Sequence, residues 1–479
     1  MSVLVIDVGT SSVRAAAVDR AGAVTHERQR ATLPLSPAPG LVEFDPAEIA
    51  EAALDLARVV LAEGGPVDAV GIANQRASTV LWDRATGEAL GPGLGWQDLR
   101  TVGDCLVLAA DGIRLAPNLS ATKLAHLLGL HDPERSRDVC FGTVDSWIAW
   151  HLTGGAAHVI DTTNAALTGL RTGDQAAWDE KVLDALRIPE AILPTVVDSI
   201  GVVGEATALE GRPPIAGLLG DQQASLLGQG CIRQGDAKVT FGTGGMLDVC
   251  LDQRPEFPTR GRAGTFPIVA RSRDGVDTWG IEAVMLAAGT NVEWLRDDLG
   301  LIPTAAASHD VAAECEDTEG VAYVPALLGL GAPTWDYGAR GALLGLTRGS
   351  GRPQIVRAVL EGIAQRGADL VDAAIADGAV EIPALRVDGG MSANPTFLQA
   401  VADATQRPIE VSPVTEATTV GAAYAAGIAV GTWSGLDEVA SLWAPRATVE
   451  PARVLDRERW ADTVRRAAAW HPDLSSIDF

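Results

Sequence analysis

The sequence predicts an α/β protein built from two related halves. With 479 residues the chain is too long for one compact domain, and 47% of its residues are hydrophobic, which is enough for large cores. A strand, a turn of glycine and threonine, and a second strand occur twice, at 3–19 and at 237–251. Amphipathic helices and buried strands alternate after each of these passages. We expect one domain over 1–230, a second over 231–442, and a tail over 443–479 that contains one helix.

The expected elements follow from local patterns. Strands are expected at 3–7, 13–19, 23–31 and 67–74. Between them, residues 45–63 repeat apolar side chains every three or four positions, with Asp45 as cap and Pro46 in the first turn, which predicts a helix ending at Gly64. The same reasoning gives the second half helices at 353–377, from 395 onward and at 415–430, a strand at 384–388, and a tail helix at 456–470.

Charge and composition exclude several classes of function. The chain has 37 basic and 62 acidic residues, a net charge of −25, so nucleic acids and anionic membranes are not expected partners. None of the lysines follows a glycine, and no GxGxxG occurs, so neither a Walker-type loop nor a dinucleotide fingerprint is present. The five cysteines form no CxxC pair, which favours reduced, buried thiols. The apolar start lacks the basic lead of a signal peptide, so we expect a cytoplasmic protein.

The turn after the first strand is the first candidate phosphate site. Small residues that expose consecutive amide groups can hold phosphate oxygens, and an adjacent carboxylate can bind Mg²⁺ through water. The residues concerned are Asp7, Gly9, Thr10, Ser11 and Ser12. An ordinary hairpin whose aspartate caps the turn is an equal alternative at this point.

Two further loops have similar composition. Gly242 and Thr243 lie in the second hairpin turn, and Gly389, Gly390, Met391 and Asn394 lie between a strand and a helix, where glycines allow close contact with a purine and its ribose. Alone, the turn at 242–243 is more often an ordinary glycine-rich hairpin. Three such loops along one chain favour a nucleotide site.

Asp221 is the candidate general base. It follows an apolar strand near the boundary between the halves, so it would face a cleft between them and could accept the proton of an attacking hydroxyl. The alternative is an aspartate that caps a helix.

Five stretches carry a family resemblance: GIANQRASTVLWDRATG (71–87), FGTVDSWIAWHLTGG (141–155), GDQQASLLGQG (220–230), GLGAPTWDYGARGALLGLTRGS (329–350), and 385–433 from LRVDGGMSANPTF to GIAVGTW. The chain resembles the FGGY carbohydrate kinases over nearly its whole length and, within them, is similar to the glycerol kinases. The pattern around Lys123 matches only in part, because His126 stands where the family usually has tryptophan.

The resemblance implies two actin-like, RNase-H-like ATPase domains that flank a catalytic cleft for ATP, Mg²⁺ and a small sugar or polyol. Asp7 and Asp221 would serve the metal, and Asp221 would be the catalytic base. The phosphates of ATP would contact the turn from Gly9 to Ser12 and the residues Gly242, Thr243 and Gly289. The 389–394 loop would border adenosine. A homodimer is a further expectation from the family.

The resemblance also implies an acceptor site, and it is here that the chain departs from the glycerol kinases. Its members are Arg76, Ala77, Trp96, Asn118, Asp221, Gln222 and Met246. Ala77 replaces a glutamate, Asn118 a tyrosine and Met246 a phenylalanine. Losing one partner of a buried hydrogen bond costs about 1–3 kcal/mol, a large share of the affinity for so small a ligand. We therefore expect a four- or five-carbon polyol or a ketopentose such as xylulose, with glycerol as the alternative.

Two other classes of protein share this architecture. Actin and the heat-shock ATPases use ATP to drive conformation, but they have no need of an acceptor set such as Arg76, Trp96 and Gln222. A regulatory protein that binds sugar without turnover is disfavoured because the phosphate loops are intact.

Overall fold

The computed structural model describes residues 1–414 and 416–477. The strands of the first half are β1 (Ser2–Val8), β2 (Ser12–Asp19), β3 (Val24–Ala31), β4 (Glu43–Phe44), β5 (Ala69–Asn74), β6 (Val80–Asp83), β7 (Gly93–Leu94), β8 (Val139–Gly142), β9 (Val159–Asp161), β10 (Thr195–Val197), β11 (Ile200–Glu205) and β12 (Pro214–Gly220). Its helices are α1 (Pro46–Gly64), α2 (Val102–Ala110), α3 (Ser120–His131), α4 (Val144–Leu152), α5 (Thr162–Ala165), α6 (Glu180–Leu186) and α7 (Asp221–Gly228), with a 3₁₀ turn at Glu190–Ile192.

The second half contains the remaining elements. Its strands are β13 (Ala237–Phe241), β14 (Gly245–Leu251), β15 (Phe266–Arg273), β16 (Val276–Met285), β17 (Ala322–Val324), β18 (Ala342–Leu344), β19 (Leu385–Asp388), β20 (Ile409–Val411) and β21 (Ala447–Val449). Its helices are α8 (Thr290–Asp297), α9 (Ala307–Ala313), α10 (Arg352–Gly378), α11 (Pro395–Thr405), α12 (Ala417–Val430), α13 (Leu436–Ser441), α14 (Arg457–Ala467) and α15 (Pro472–Ser475), with a 3₁₀ turn at Gly390–Ala393.

The two large sheets share one plan. The first has the strand order β11-β12-β5-β1-β2-β3, and the second β15-β16-β14-β13-β19-β20-β21. In each, a hairpin (β1-β2 or β13-β14) extends to a third antiparallel strand on one side and to two parallel strands on the other, followed by an antiparallel edge strand. The second sheet adds only β15. The two related α/β halves predicted from the repeated hairpin are confirmed.

Helix α1 shows why the local patterns were informative. The carboxylate of Asp45 accepts hydrogen bonds from the backbone amides of Ala47 and Glu48, at 2.9 and 3.3 Å, as an N-cap does. The apolar positions of the repeat, among them Ile49, Ala53 and Val60, are buried against the first sheet. The helix ends at Gly64, where the sequence places its end.

The chain returns to the first half near its end. Helix α12 packs on the first sheet, where Val420 and Ala423 share a core with Val3 and Val5. In the chain, α12 lies within the second predicted domain, but it packs against the sheet of the first. The division at 230/231 stays a prediction. The tail joins the second half through β21, which pairs with β20, and through α14, the predicted tail helix.

The cysteines carry free thiols, and all except Cys315 are buried, as expected for reduced side chains. Within the ranges 1–414 and 416–477, no helix is both long and apolar enough to span a bilayer.

Candidate active site

Two carboxylates stand at one edge of the first sheet. Asp7 lies near the end of β1, and Asp221 directly follows β12 as the first residue of α7. Both strands run parallel to β5, so their carboxyl ends meet at the same edge. Gly220, not Asp221, is the N-cap of α7, and the Asp221 carboxylate accepts a hydrogen bond from the Gln222 amide at 2.8 Å.

Burial controls the electrostatics of this pair. Burial raises the pKa of Asp7 to about 6, with Arg14 opposing the shift and the neighbouring Asp221 adding to it. Burial also raises the pKa of Asp221, against the opposing charge of Arg76. A carboxyl group with a raised pKa is a stronger proton acceptor. Two neighbouring, half-buried carboxylates also make a donor set that suits a hard divalent cation such as Mg²⁺.

The first glycine turn touches the predicted acceptor site. The Gly9 amide donates to the Ser12 carbonyl at 3.0 Å, which closes the turn, and Gln75 Nε2 donates to the Gly9 carbonyl at 3.2 Å. The indole nitrogen of Trp96 donates to Thr10 Oγ1 at 3.1 Å. A residue predicted for the acceptor and one predicted for phosphate are therefore in direct contact.

The second turn and the loop before α8 form one unit. The Gly289 amide donates to the Gly242 carbonyl, and the Ala288 amide to the Thr243 carbonyl, both at 2.8 Å. A Cβ at Gly289 would lie 2.6 Å from the Gly242 carbonyl oxygen, so only glycine fits there. The three residues predicted to meet the phosphates in this half are thus brought together.

The third loop, 389–394, packs against Phe241, at the start of the second glycine turn. Gly389 has a φ of +85°, and a Cβ there would lie 2.6 Å from the carbonyl carbon of Phe241, the residue that precedes Gly242. Gly390 has open space beside it, and Met391 is buried. Asn394 is the N-cap of α11: its Oδ1 accepts from the Phe397 amide at 3.0 Å and its Nδ2 donates to Ser308. The Asn394 amide group is therefore engaged within the protein, although its position borders the predicted adenosine site.

Arg76 is the centre of the acceptor residues. Its Nε lies 3.4 Å from the Asp221 carboxylate, and its Nη2 lies 3.9 Å from the Met246 sulfur. Ala77 follows with a φ of +58°, a conformation that costs a residue other than glycine on the order of 1 kcal/mol. Acceptor residues predicted in the two halves are therefore adjacent in space.

Trp96 and Asn118 also adjoin. The Asn118 side-chain amide donates to the Trp96 carbonyl at 3.1 Å, and the buried Lys123 ammonium donates to the Asn118 and Trp96 carbonyls at 2.8 and 3.4 Å. Burial lowers the pKa of Lys123 to about 7. No role for Lys123 is evident from the sequence, but its ammonium group links the backbone carbonyls of Asn118 and Trp96.

Sequence reasoning missed a set of polar residues opposite these side chains. Lys238 Nζ donates to Gln222 Oε1 at 2.5 Å and pairs with Asp248 at 2.7 Å, and Glu282 pairs with Arg76 at 2.7 Å. The sequence contains a weak signal for Lys238 and Asp248, since polar residues alternate with apolar ones along β13 and β14. Thr163 was also missed: its hydroxyl accepts from the Gly220 amide at 2.9 Å, which fixes the start of α7.

Two halves on one plan, each with a glycine turn in its central hairpin, define the actin-like class of ATPase folds. Within that class the chain belongs to the FGGY family of carbohydrate kinases, which are ATP-dependent phosphotransferases: the model of the family's N-terminal domain matches residues 2–228 and that of its C-terminal domain residues 237–430. The predicted family, fold class and enzyme class are confirmed.

Named relatives are similar over the whole chain. The glycerol kinase of Aromatoleum aromaticum is 44% identical, with 98% of this chain and 99% of the relative covered, and that of Trichlorobacter lovleyi is 41% identical over the same shares. Among solved structures, Plasmodium falciparum glycerol kinase with ADP is 28% identical with a TM-score of 0.90, covering 100% of this chain and 99% of its own. The xylulose kinase of Rhodospirillum rubrum, 24% identical with a TM-score of 0.86 over 99% and 100%, shares the fold.

Proposed function

We propose that this protein is a glycerol kinase, which transfers the γ-phosphoryl group of ATP to a hydroxyl of glycerol. The similarity to proteins named glycerol kinase, at 41–44% identity over nearly the full length, carries the proposal. It favours glycerol over the larger acceptors that the sequence departures suggested. The adjacency of Arg76, Met246 and Asp221, with Trp96 against the first turn, supports an acceptor site at this place.

Asp221 is the proposed base for the acceptor hydroxyl. Its place at the end of β12, its hydrogen bond to the Gln222 amide and its raised pKa suit a group that accepts a proton during transfer. Asp7 and Asp221 would hold Mg²⁺, which when bound neutralises charge on the phosphates. The glycine turns at 9–12 and 242–243 would donate backbone amides to phosphate oxygens. Catalysis then rests on positioning and on charge stabilisation.

A second acceptor class has its own support. Ala77 and Asn118 are smaller than the glutamate and tyrosine of the glycerol kinases, and this difference supports a four- or five-carbon polyol or a ketopentose as acceptor. The variant Ala77→Glu distinguishes glycerol from a larger polyol or ketopentose as the natural acceptor. If the natural acceptor is larger than glycerol, this variant should lower the KM for glycerol and raise that for the larger acceptor. If glycerol is the natural acceptor, the added carboxylate should leave the order of preference unchanged.

The test is a coupled assay of ADP release over glycerol, tetritols, pentitols, ketopentoses and hexoses, with Asp221→Asn as the control. The proposal expects glycerol to give a rate far above the ATPase background, and Asp221→Asn to abolish that rate while ATP binding persists. A kcat/KM higher on a pentitol or ketopentose than on glycerol would contradict glycerol as the natural acceptor and identify that compound in its place. Background rates across the panel would contradict it. A homodimer remains a prediction from the family, and a cytoplasmic location remains a prediction from the sequence.

A further inference from the structure

One face of the second sheet is polar although it is buried. Along β13 and β14, the side chains of Val239, Phe241, Leu247 and Val249 enter the hydrophobic core on one face. The alternating residues Lys238, Thr240, Met246 and Asp248 point to the other face, toward α7 of the first half. Lys238 and Asp248 are 0% exposed, and Glu282 on the neighbouring strand is 6% exposed.

These residues and those of the candidate acceptor site form a ring of successive contacts. We call it the polar ring; its members are Gln222, Lys238, Asp248, Glu282, Arg76 and Asp221. Lys238 Nζ donates to Gln222 Oε1 and pairs with Asp248. Asp248 is directly opposite Glu282 in the antiparallel register of β14 and β16. Glu282 pairs with Arg76, and Arg76 approaches Asp221, which precedes Gln222 in the chain. The ring therefore begins and ends at the first two residues of α7.

Stability alone does not explain such a ring. Removing charged groups from water is expensive, and replacing a buried ion pair with well-packed apolar residues is often neutral or stabilising. Asp248 and Glu282 also face each other as two carboxyl groups. Burial raises the pKa of Glu282 to about 7, with the Arg76 charge opposing the shift and the Asp248 charge adding to it. An arrangement that costs free energy and converges on Asp221 and Gln222 is better explained by what it does to those two side chains.

The ring fixes the direction of two donors. Because Lys238 donates to Oε1 of Gln222, the amide oxygen faces the second sheet and the amide NH₂ group points away from Lys238. Glu282 similarly engages Nη2 of Arg76, which leaves its guanidinium in one orientation beside Asp221. Gln222 can then donate to an acceptor oxygen while Asp221 accepts a proton.

We propose that Lys238, Asp248 and Glu282 are positioning residues for the acceptor: they orient the Gln222 amide and the Arg76 guanidinium toward the hydroxyl that is phosphorylated. This inference rests on the proposed kinase function. Since the three residues belong to the second half and their targets to the first, the acceptor site is complete only when α7 contacts the second sheet.

The test uses Lys238→Met combined with Asp248→Leu, which removes both charges of the pair and leaves neither alone in the interior. We expect this variant to unfold near the wild-type temperature and to keep the wild-type KM for ATP. Its KM for the acceptor should rise roughly ten- to hundredfold, the range expected when one hydrogen bond to a buried polar group is lost. Lys181→Met, on the exposed surface of α6, is the matched control and should change nothing.

A double-mutant cycle shows whether the pair acts through Gln222. Adding Gln222→Ala to the Lys238/Asp248 variant should raise the acceptor KM no further than Gln222→Ala does alone, since both remove the same oriented donor. Additive effects, or an unchanged acceptor KM in the folded variant, would overturn the inference while leaving the kinase function intact. A wild-type enzyme inactive on every polyol and sugar would overturn both proposals together.

Glu282→Gln tests the second contact of the ring, the ion pair between Glu282 and Arg76. It keeps the side-chain volume but removes the carboxylate that pairs with Arg76. The acceptor KM should rise, and Glu282→Asp should restore part of the loss. Equal KM values for Glu282→Gln and the wild type would contradict a positioning role for this residue.

Discussion

Substituting Gly421 by alanine tests whether the contact between α7 and α12 sets the position of the base. The two helices cross at glycines: a Cβ at Gly421 would overlap the Ala224 carbonyl oxygen of α7 and lie 2.7 Å from its carbonyl carbon. A Cβ at Gly228 of α7 would likewise overlap the carbonyl oxygen of Ala417 in α12. No flexible side chain lies at either contact, so the helices themselves must move.

The size of the effect follows from that distance. Ordinary carbon–carbon contact is at about 3.5 Å, so α7 would have to move away from α12 by about 1 Å. Overpacking of this kind costs about 1–3 kcal/mol of stability. Asp221 begins α7, and misplacing a reacting group by about 1 Å can cost about a hundredfold in rate. We expect Gly421→Ala to lower both the unfolding temperature and kcat, with kcat falling by about that factor.

The assay pairs thermal unfolding with kcat on the best acceptor. Gly129→Ala is the control, because Gly129 is an exposed residue of α3 with nothing within 4 Å of an added Cβ. That change should stabilise the protein by up to about 1 kcal/mol and leave kcat unchanged. If Gly421→Ala keeps both the unfolding temperature and kcat of the wild type, the close contact does not set the position of Asp221.

Three further outcomes are expected. Gly389→Ala should reduce stability and ATP affinity, because of its φ of +85° and the contact with Phe241, whereas Gly390→Ala should unfold as the wild type does; equal unfolding curves would contradict the close approach. Burial lowers the pKa of His158 to about 4, so the unfolded chain binds that proton more readily and stability falls as pH decreases below 6.5. His158→Gln should lose about 1 kcal/mol less than the wild type between pH 7 and 5.5 in urea unfolding, and an identical loss would refute this. Lys123→Met should raise the acceptor KM more than the ATP KM, because Lys123 holds the Asn118 and Trp96 carbonyls; equal changes would argue against that role.

The local elements of this fold could be predicted because their causes are local. The hairpin turn after Asp7 and the cap at Asp45 depend on residues within a few positions of each other. The repeated hairpin was enough to predict two related halves, because each half builds its sheet outward from that hairpin. The capping role of Asn394 also had a local signal, since asparagine before proline is a typical helix start.

The polar ring could not be predicted from the sequence. Alternation along β13 and β14 shows that Lys238 and Asp248 share a face, but what lies opposite that face depends on how the halves pack. The partner of Arg76 is 206 positions away, at Glu282, and no local pattern links them. The same holds for α12, whose small residues predict a helix without indicating which sheet it covers.

In the proposed reaction, the γ-phosphoryl group passes from ATP to a carbon-bound hydroxyl of glycerol. The most direct measurement is ³¹P NMR of a mixture of the enzyme, Mg²⁺, ATP and glycerol, with Asp221→Asn in a parallel sample. The expected result is a phosphomonoester signal that grows in step with ADP in the wild-type sample and is absent from the Asp221→Asn sample. Growth of inorganic phosphate alone, or equal phosphomonoester in both samples, would contradict the claim.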